Sequence, residues 1–283
     1  EAMTSLTSAS SSSPFSTGWN MAEDQPVLPG SRIALIGVAT GALSGLLGVG
    51  GGIVMVPALV ACGFNRRRAS GTSLAAILLV ALAGAIAFAV AGDLDWQVGV
   101  TLGIGGLLGS TLGAHLLNRL RGNTLALIFG IVLLFTGLRM VLAVEPVASG
   151  RAIDPLLRIV IGVLVGMVAG LASGLAGVGG GVVMIPAMVF FLGLDQHTAE
   201  GTSLLAILFT AVAATRINAR NRHIDWRAMA GLGLVGAAVA PLATLLAQSI
   251  SGLTLSRVFG VLLLLMAVQT IVRSRQIPET APT

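Results

Sequence analysis

Lysine and tyrosine are absent from this 283-residue chain, and cysteine occurs once, at Cys62. Without lysine there is no Walker A phosphate loop. A single cysteine excludes disulfides within the chain and cysteine-based metal sites. Charge is scarce as well: 10% of the residues are Asp, Glu, Lys or Arg, against roughly 25% in a soluble domain. The chain is instead 55% hydrophobic, with a mean hydropathy of +0.96. That balance predicts an all-α polytopic membrane protein. All 16 basic residues are arginine and the pI is near 11.4. Nucleic acid is nevertheless not an expected partner, because the arginines sit in short loops between apolar spans rather than on one soluble face.

Residues 1–31 are rich in Ser, Thr and Pro and read as a disordered tail without the basic-then-apolar pattern of a signal peptide. Apolar segments then follow in two matching sets. The first set is Arg32–Val49, a short Ile53–Phe64, Thr72–Ala91, Gln97–Leu117 and Leu125–Ala143. The second is Leu157–Val178, Val182–Leu192, Thr202–Ala219, Arg227–Ala247 and Leu255–Val272. Gly41 to Pro57 and Gly170 to Pro186 are identical at 12 of 17 positions. Gly71-Thr-Ser-Leu74 returns as Gly201-Thr-Ser-Leu204, and Asp95-Trp96 as Asp225-Trp226. A repeat of about 130 residues is too long for a solenoid and marks a duplicated domain. The expected organisation is a tail (1–31), repeat 1 (32–144), a loop (145–156), repeat 2 (157–273) and a second tail (274–283).

Arginine placement predicts how the halves relate. At four corresponding loops the arginine-rich side swaps between the repeats, as at Arg66–Arg68 against 195–200. Placing the rich loops on the cytoplasmic side gives 11 Arg inside and 3 outside (Arg151, Arg158, Arg257), with Arg32 and Arg139 left over. The two halves are then inverted, with both termini cytoplasmic. Three full spans per half already reverse the direction. The glycine-broken segment must therefore begin and end on one side, as a hairpin. Length alone leaves a re-entrant loop and two full crossings both open.

The two copies of Gly-x-x-Ser-Gly-x-x-Gly-Val-Gly-Gly-Gly-x-x-x-x-Pro, each followed by Gly-Thr-Ser-Leu, resemble the TauE/SafE family of sulfite and organosulfonate transporters over about residues 32–273. The resemblance implies a bacterial-type inner-membrane carrier for small sulfur-containing anions, often an exporter. An anion channel of the same fold is the alternative, and a membrane enzyme is the third. The sequence holds no carboxylate pair, metal cluster or nucleophile triad, so neither cofactor nor metal is expected. Expected partners are a small anionic substrate and the lipid bilayer, with a homodimer left open.

The candidate substrate-binding residues follow from the breaks. Gly48, Gly50, Gly51 and Gly52, with Gly177, Gly179, Gly180 and Gly181, free backbone N–H groups beside the start of a helix, where an anion is favoured. Packing is the competing reading, since Gly41/Gly45 and Gly48/Gly52 have Gly-x-x-x-Gly spacing. Ser44 and Ser173 either bond their own helix or donate to the anion. Thr72-Ser73 and Thr202-Ser203 either cap helices or donate likewise. Arg139, in an apolar run, either snorkels to the interface or attracts the anion; Arg216 reads as snorkelling. His115 either packs, hydrogen-bonded, or serves proton coupling, and Glu200 reads as surface-exposed. No Asp or Glu is expected deep in a span. Gly231-Leu-Gly233-Leu-Val-Gly236 matches a dinucleotide pattern but has no strand before it.

Overall fold

The computed structural model describes residues 28–116, 122–142, 154–176 and 179–276. Within them the chain is all-helical: α1 Gly30–Leu47, α2 Gly52–Ala61, α3 Arg66–Ala91, α4 Trp96–Leu116, α5 Gly122–Val141, α6 Pro155–Ala176, α7 Gly181–Phe191, α8 Gln196–Arg220, α9 Trp226–Gln248 and α10 Gly252–Gln276. Five of these (α1, α3, α8, α9 and α10 as far as Val272) are long and apolar enough to cross a membrane. Large apolar side chains such as Ile86, Val90, Leu234 and Leu265 point outward, which a lipid environment accommodates.

Small residues let the helices approach. A Cβ added at Gly41 or Gly45 of α1 would run into the backbone carbonyls of Gly236 and Ala240 on α9. On α6, Gly166 and Gly170 meet the backbone of Leu102 and Gly106 on α4 in the same way. In a bilayer, where apolar burial between helices gains little over lipid, such close backbone contact supplies the packing. Gly41 and Gly45 are therefore packing glycines. Gly231, Gly233 and Gly236 of the dinucleotide-like pattern also pack inside the bundle, against Ile33, Leu79 and Val80.

The contact order fixes the helix directions. Along α1 and α9, residues 37, 41 and 45 meet 235, 236 and 240, so these two helices run parallel. α3 also runs with α9, as Leu79 and Val80 meet Gly233 and Gly236; α4 likewise runs with α8 and α6. α3 and its repeat counterpart α8 run antiparallel, with Gly71 beside Asn218 and Gly201 beside Phe88. α5 and α10 are antiparallel too, with Gly130 on Ile271 and Gly137 on Gly260. The described chain consequently starts and ends at one end of the bundle. That end carries Arg66–Arg68, Arg220, Arg222 and Arg227; the other carries Arg158 and Arg257. Arg119, Arg121 and Arg151 lie outside the described residues.

Helix starts fall earlier than the sequence reading placed them. The Asn65 side chain accepts from Arg68 N–H (2.8 Å) and so begins α3. The Asp195 side chain accepts from Thr198 N–H (3.1 Å) and begins α8. Each cap satisfies an otherwise orphaned donor and adds six residues to the expected span. Two expectations fall with it. Thr72 and Thr202 lie inside their helices and do not cap them. Glu200 lies within α8 and is fully buried, neither on the surface nor outside a span.

The glycine breaks are re-entrant hairpins. α2 and α7, of 10 and 11 residues, are only about 15 Å and 16 Å long, half of a ~30 Å bilayer core. α2 folds back along α1: Gly51 abuts Thr40, and Leu59 shares a core with Ile36 and Leu28. The tip packs on Ile77 and Ile207, near the middles of the long helices α3 and α8.

Candidate functional site

Both hairpin tips are turned by glycine where a side chain would be strained. Gly48 closes α1 at φ 65°, and Gly50 and Gly51 follow at φ 76° and 71°. Gly179 and Gly180 repeat the turn at φ 93° and 86°. These left-handed values are open to glycine without steric cost. The turn aims the N-terminal ends of α2 and α7 into the bundle. Among the described residues no acceptor takes the N–H groups of Gly50–Ile53 or of Gly179–Val182.

The two tips meet. A Cβ at Gly181 would lie 3.0 Å from Val49 Cα and 3.1 Å from the Gly48 carbonyl oxygen. The start of α7, equivalent to roughly half a positive charge, thus lies against the turn between α1 and α2 near mid-bundle. The junction is closed by packing. Gly48, Gly50, Gly51, Gly52, Gly179, Gly180 and Gly181 are all buried, with Ile77 and Ile207 against the glycines. Gly177 lies outside the described residues. An apolar groove of about 340 Å³ lies apart from the junction, between α3, α4 and α8, lined by Leu82, Ile86, Val90, Trp96, Leu205 and Leu208.

The hydroxyls divide into two groups. Ser44, Ser73 and Thr40 are fully buried, and their oxygens have no hydrogen-bond partner among the described residues. Ser44 therefore does not bond its own helix. A buried hydroxyl without a partner costs free energy, and a ligand oxygen would remove that cost. Ser173 is buried at the corresponding place in the second repeat. Thr40 was not a sequence candidate. Its counterpart is Ala169, so the repeat comparison gave no signal for it.

The second group is structural. Thr72 Oγ1 accepts from Asp225 N–H, and Thr202 Oγ1 from Asp95 N–H, both at 2.9 Å. Asp225 caps α9 through Ala228 N–H, and Asp95 bonds Val98 N–H at the start of α4. Each threonine thus secures the helix start of the opposite repeat. Ion pairs reinforce the ties: Arg68 with Asp225 at 3.3 Å and Arg158 with Asp95 at 2.6 Å. Ser203 Oγ donates to the Gly48 carbonyl and pins the first tip to α8. Thr72→Val and Thr202→Val are expected to lower the melting temperature, at about 1–3 kcal/mol for each stranded N–H, and to leave anion affinity unchanged. Thermal unfolding beside ligand titration checks this; an affinity loss without destabilisation would return the threonines to the binding site.

Arg139 is not at the junction. Its guanidinium lies 4.7 Å from the Phe190 ring centroid, about 14 Å along α7 from that helix's glycine start. This cation–π contact holds the charge, half-buried, at the end of the bundle opposite the termini. Arg216 is exposed near the end of α8. His115 lies in α4, with its side chain outside the described residues.

Residues 4–140 and 161–283 match the family model described as sulfite exporter TauE/SafE. A probable membrane transporter protein of Xylella fastidiosa (strain 9a5c) is 33% identical over 235 residues, covering 81% of this chain and 90% of the relative. The probable membrane transporter protein YunE of Bacillus subtilis (strain 168) is 25% identical over 217 residues, or 69% and 80% of the two chains. A third relative so named, MJ0441 of Methanocaldococcus jannaschii, is 31% identical over 117 residues, 38% of this chain and 44% of its own. With the five apolar spans and the doubled glycine hairpin, these matches identify the chain as a multi-pass membrane protein that belongs to the TauE/SafE family.

Proposed function

We propose that this protein is a secondary carrier, not an enzyme, that exports a small sulfur-containing oxyanion, sulfite or an organosulfonate, across the cytoplasmic membrane. The observation that carries the reading is the contact of the two glycine turns, Gly181 at the start of α7 against Gly48 and Val49 of the first tip, near the middle of the bundle. Helix N-termini favour anions, and paired broken helices at mid-membrane are the usual binding arrangement in repeat-built carriers. Sulfonate and sulfite each offer three oxygens to the N–H groups of both tips and to Ser44, Ser73 and Ser173. The buried junction is the occluded state, and transport requires the hairpins to part. The antiparallel course of α3 and α8, with arginine gathered at the terminal end, supports inverted halves and cytoplasmic termini.

Counterflow in proteoliposomes tests the carrier. Sulfite or an organosulfonate preloaded inside is expected to accelerate uptake of the labelled anion, with saturation. Flux that follows membrane potential without exchange would mean a channel. Stabilisation by sulfate alone, in a thermal-shift series with sulfite, thiosulfate and sulfonates, would overturn the substrate class. Orientation is tested by labelling Ala91→Cys and Asn221→Cys, both exposed positions, in a Cys62→Ala background. Only the first is expected to react from outside; equal reactivity sinks the inverted topology.

Arg139, as a fixed positive charge at the outer end of α7, draws the anion toward the second hairpin. Arg139→Gln is expected to raise KM severalfold at low salt with little change in melting temperature. Near-normal transport by both Arg139→Gln and Arg139→Lys would remove it from the site.

A further inference from the structure

A carboxyl group sits where the first hairpin tip meets α8. Glu200 is 0% exposed, and its backbone packs on Gly48: a Cβ added there would meet Glu200 Cα, O and Cβ. Ser203 joins the same two elements: its Oγ donates to the Gly48 carbonyl and lies 3.1 Å from the Glu200 carbonyl oxygen. Glu200 Oε1 accepts from the Gln196 amide at 2.7 Å, while Oε2 has no partner among the described residues. The counterpart in the first repeat is Ser70, so the chain has one such acid.

The groups facing Glu200 do not neutralise a carboxylate. Its own helix brings Asp195 and His197, and the α3–α4 loop brings Asp93, whose carbonyl abuts Gly201. Asp95 follows in that loop, and Arg158 of α6 is paired with it. The His197 ring lies against the Ala247 carbonyl. α10 meets this end of α8 through Gly252 and carries Arg257 further along. α7 and the hairpin tip carry no titratable side chain near the contact. An ionised carboxylate buried with one neutral donor and no cation is costly, and an uncharged acid is far less so.

We propose that Glu200 is a proton-binding site that couples the first hairpin to pH, so that the occluded junction holds the neutral acid and parting of the hairpin releases the proton. This rests on the carrier reading and makes closure of its first hairpin depend on pH. When Gly48 moves off α8, water enters, the O–H bond of Glu200 breaks, the proton passes to water and a hydrated carboxylate remains. Reclosure takes a proton back. Each parting and reclosure of the first hairpin releases and rebinds one proton, and the second hairpin has no equivalent acid. The packed hairpin holds one proton more than the parted one, so raising the pH favours parting, by up to about tenfold per pH unit.

Amide hydrogen exchange on the full chain in lipid nanodiscs reads this without any substrate. After correction for intrinsic rates, protection of residues 48–54 is expected to fall as pH rises, by up to about tenfold per unit. Glu200→Gln is expected to stay protected without a pH step, and Glu200→Asp to keep a displaced step. Should the glutamine variant not reconstitute, the aspartate variant decides. pH-independent protection in the wild type, or an unchanged step in Glu200→Gln, overturns the proposal; so does loss of the step in a folded Glu200→Asp. A second measurement follows flux of labelled methanesulfonate, which does not itself titrate near neutral pH, into liposomes across a pH series. Flux that depends on pH in the wild type and loses that dependence in Glu200→Gln supports the proposal; pH-independent flux in the wild type overturns it. Absence of methanesulfonate flux beside a positive exchange result counts against the anion reading and leaves the proton site standing.

Discussion

Gly51→Val is expected to abolish transport, and Gly180→Val to do the same with a smaller loss of stability. Both positions have left-handed backbone, at φ 71° and 86°. A β-branched residue there costs about 1–3 kcal/mol in strain alone. Space separates the two. At Gly51 a Cβ would collide with Thr40 Cγ2 and lie 2.7 Å from the Thr40 carbonyl oxygen. At Gly180 the nearest atom is the Ala169 carbonyl oxygen at 3.1 Å, because the repeat has alanine where the first half has Thr40. The first tip must therefore shift off α1, whereas the second can absorb the change with local adjustment. Gly180→Ala should retain partial flux and Gly51→Ala should not. Thr40→Ser, which removes Cγ2 and keeps the hydroxyl, should recover part of the Gly51→Ala stability but not all, since the carbonyl contact remains. Flux in proteoliposomes and melting temperature, measured on the same preparations, check each step. Wild-type flux in Gly51→Val would refute the junction as the transport site.

The repeats and the breaks were legible because both are written locally. Duplicated glycine runs, apolar lengths and loop arginines need no knowledge of what packs on what. Helix positions followed within a few residues wherever apolar content changed sharply, as at Ala91 and Phe191. They failed at the starts of α3 and α8, where Asn65 and Asp195 cap helices well before the apolar run begins. That single misreading displaced Thr72, Thr202 and Glu200. Pairings between halves were not legible at all. α1 lies on α9 and α6 on α4, each partner belonging to the other repeat, and helices that are apolar all round give no periodicity to mark the contacting face. Thr72 reaching Asp225, or Glu200 reaching Gly48, is a consequence of that exchange. The Gly-x-x-x-Gly spacing was ambiguous for a related reason. Gly41 and Gly45 pack, while Gly48 turns and Gly52 starts α2, and only backbone direction tells the pairs apart.

Ile207→Ala is expected to be the most disruptive change at the junction that introduces no strain. Ile207 is fully buried, and its methyl carbons lie 3.1–3.5 Å from where a Cβ would stand at Gly50, Gly179 and Gly181, so one side chain touches both tips. Ile77, its counterpart on α3, is among the nearest neighbours at Gly50, with Cγ2 3.3 Å from where a Cβ would stand. Truncating a buried isoleucine costs about 2–5 kcal/mol, and the upper part of that range applies where the walls cannot collapse. Here the walls are the glycine backbones, held by the Ser203 bond to Gly48 and by the close α6–α4 contact, so the space persists. Water entering it would reach the free N–H groups and compete with the anion. Ile207→Ala should therefore lower the melting temperature, weaken anion affinity by about tenfold or more, and raise flux that does not saturate. Ile77→Ala should show the stability loss with a smaller loss of affinity. The opposite change, Ile207→Phe, overpacks both tips and should block flux while the protein still folds. Identical affinity in Ile207→Ala and Ile77→Ala would show that contact with both tips is not what closes the site.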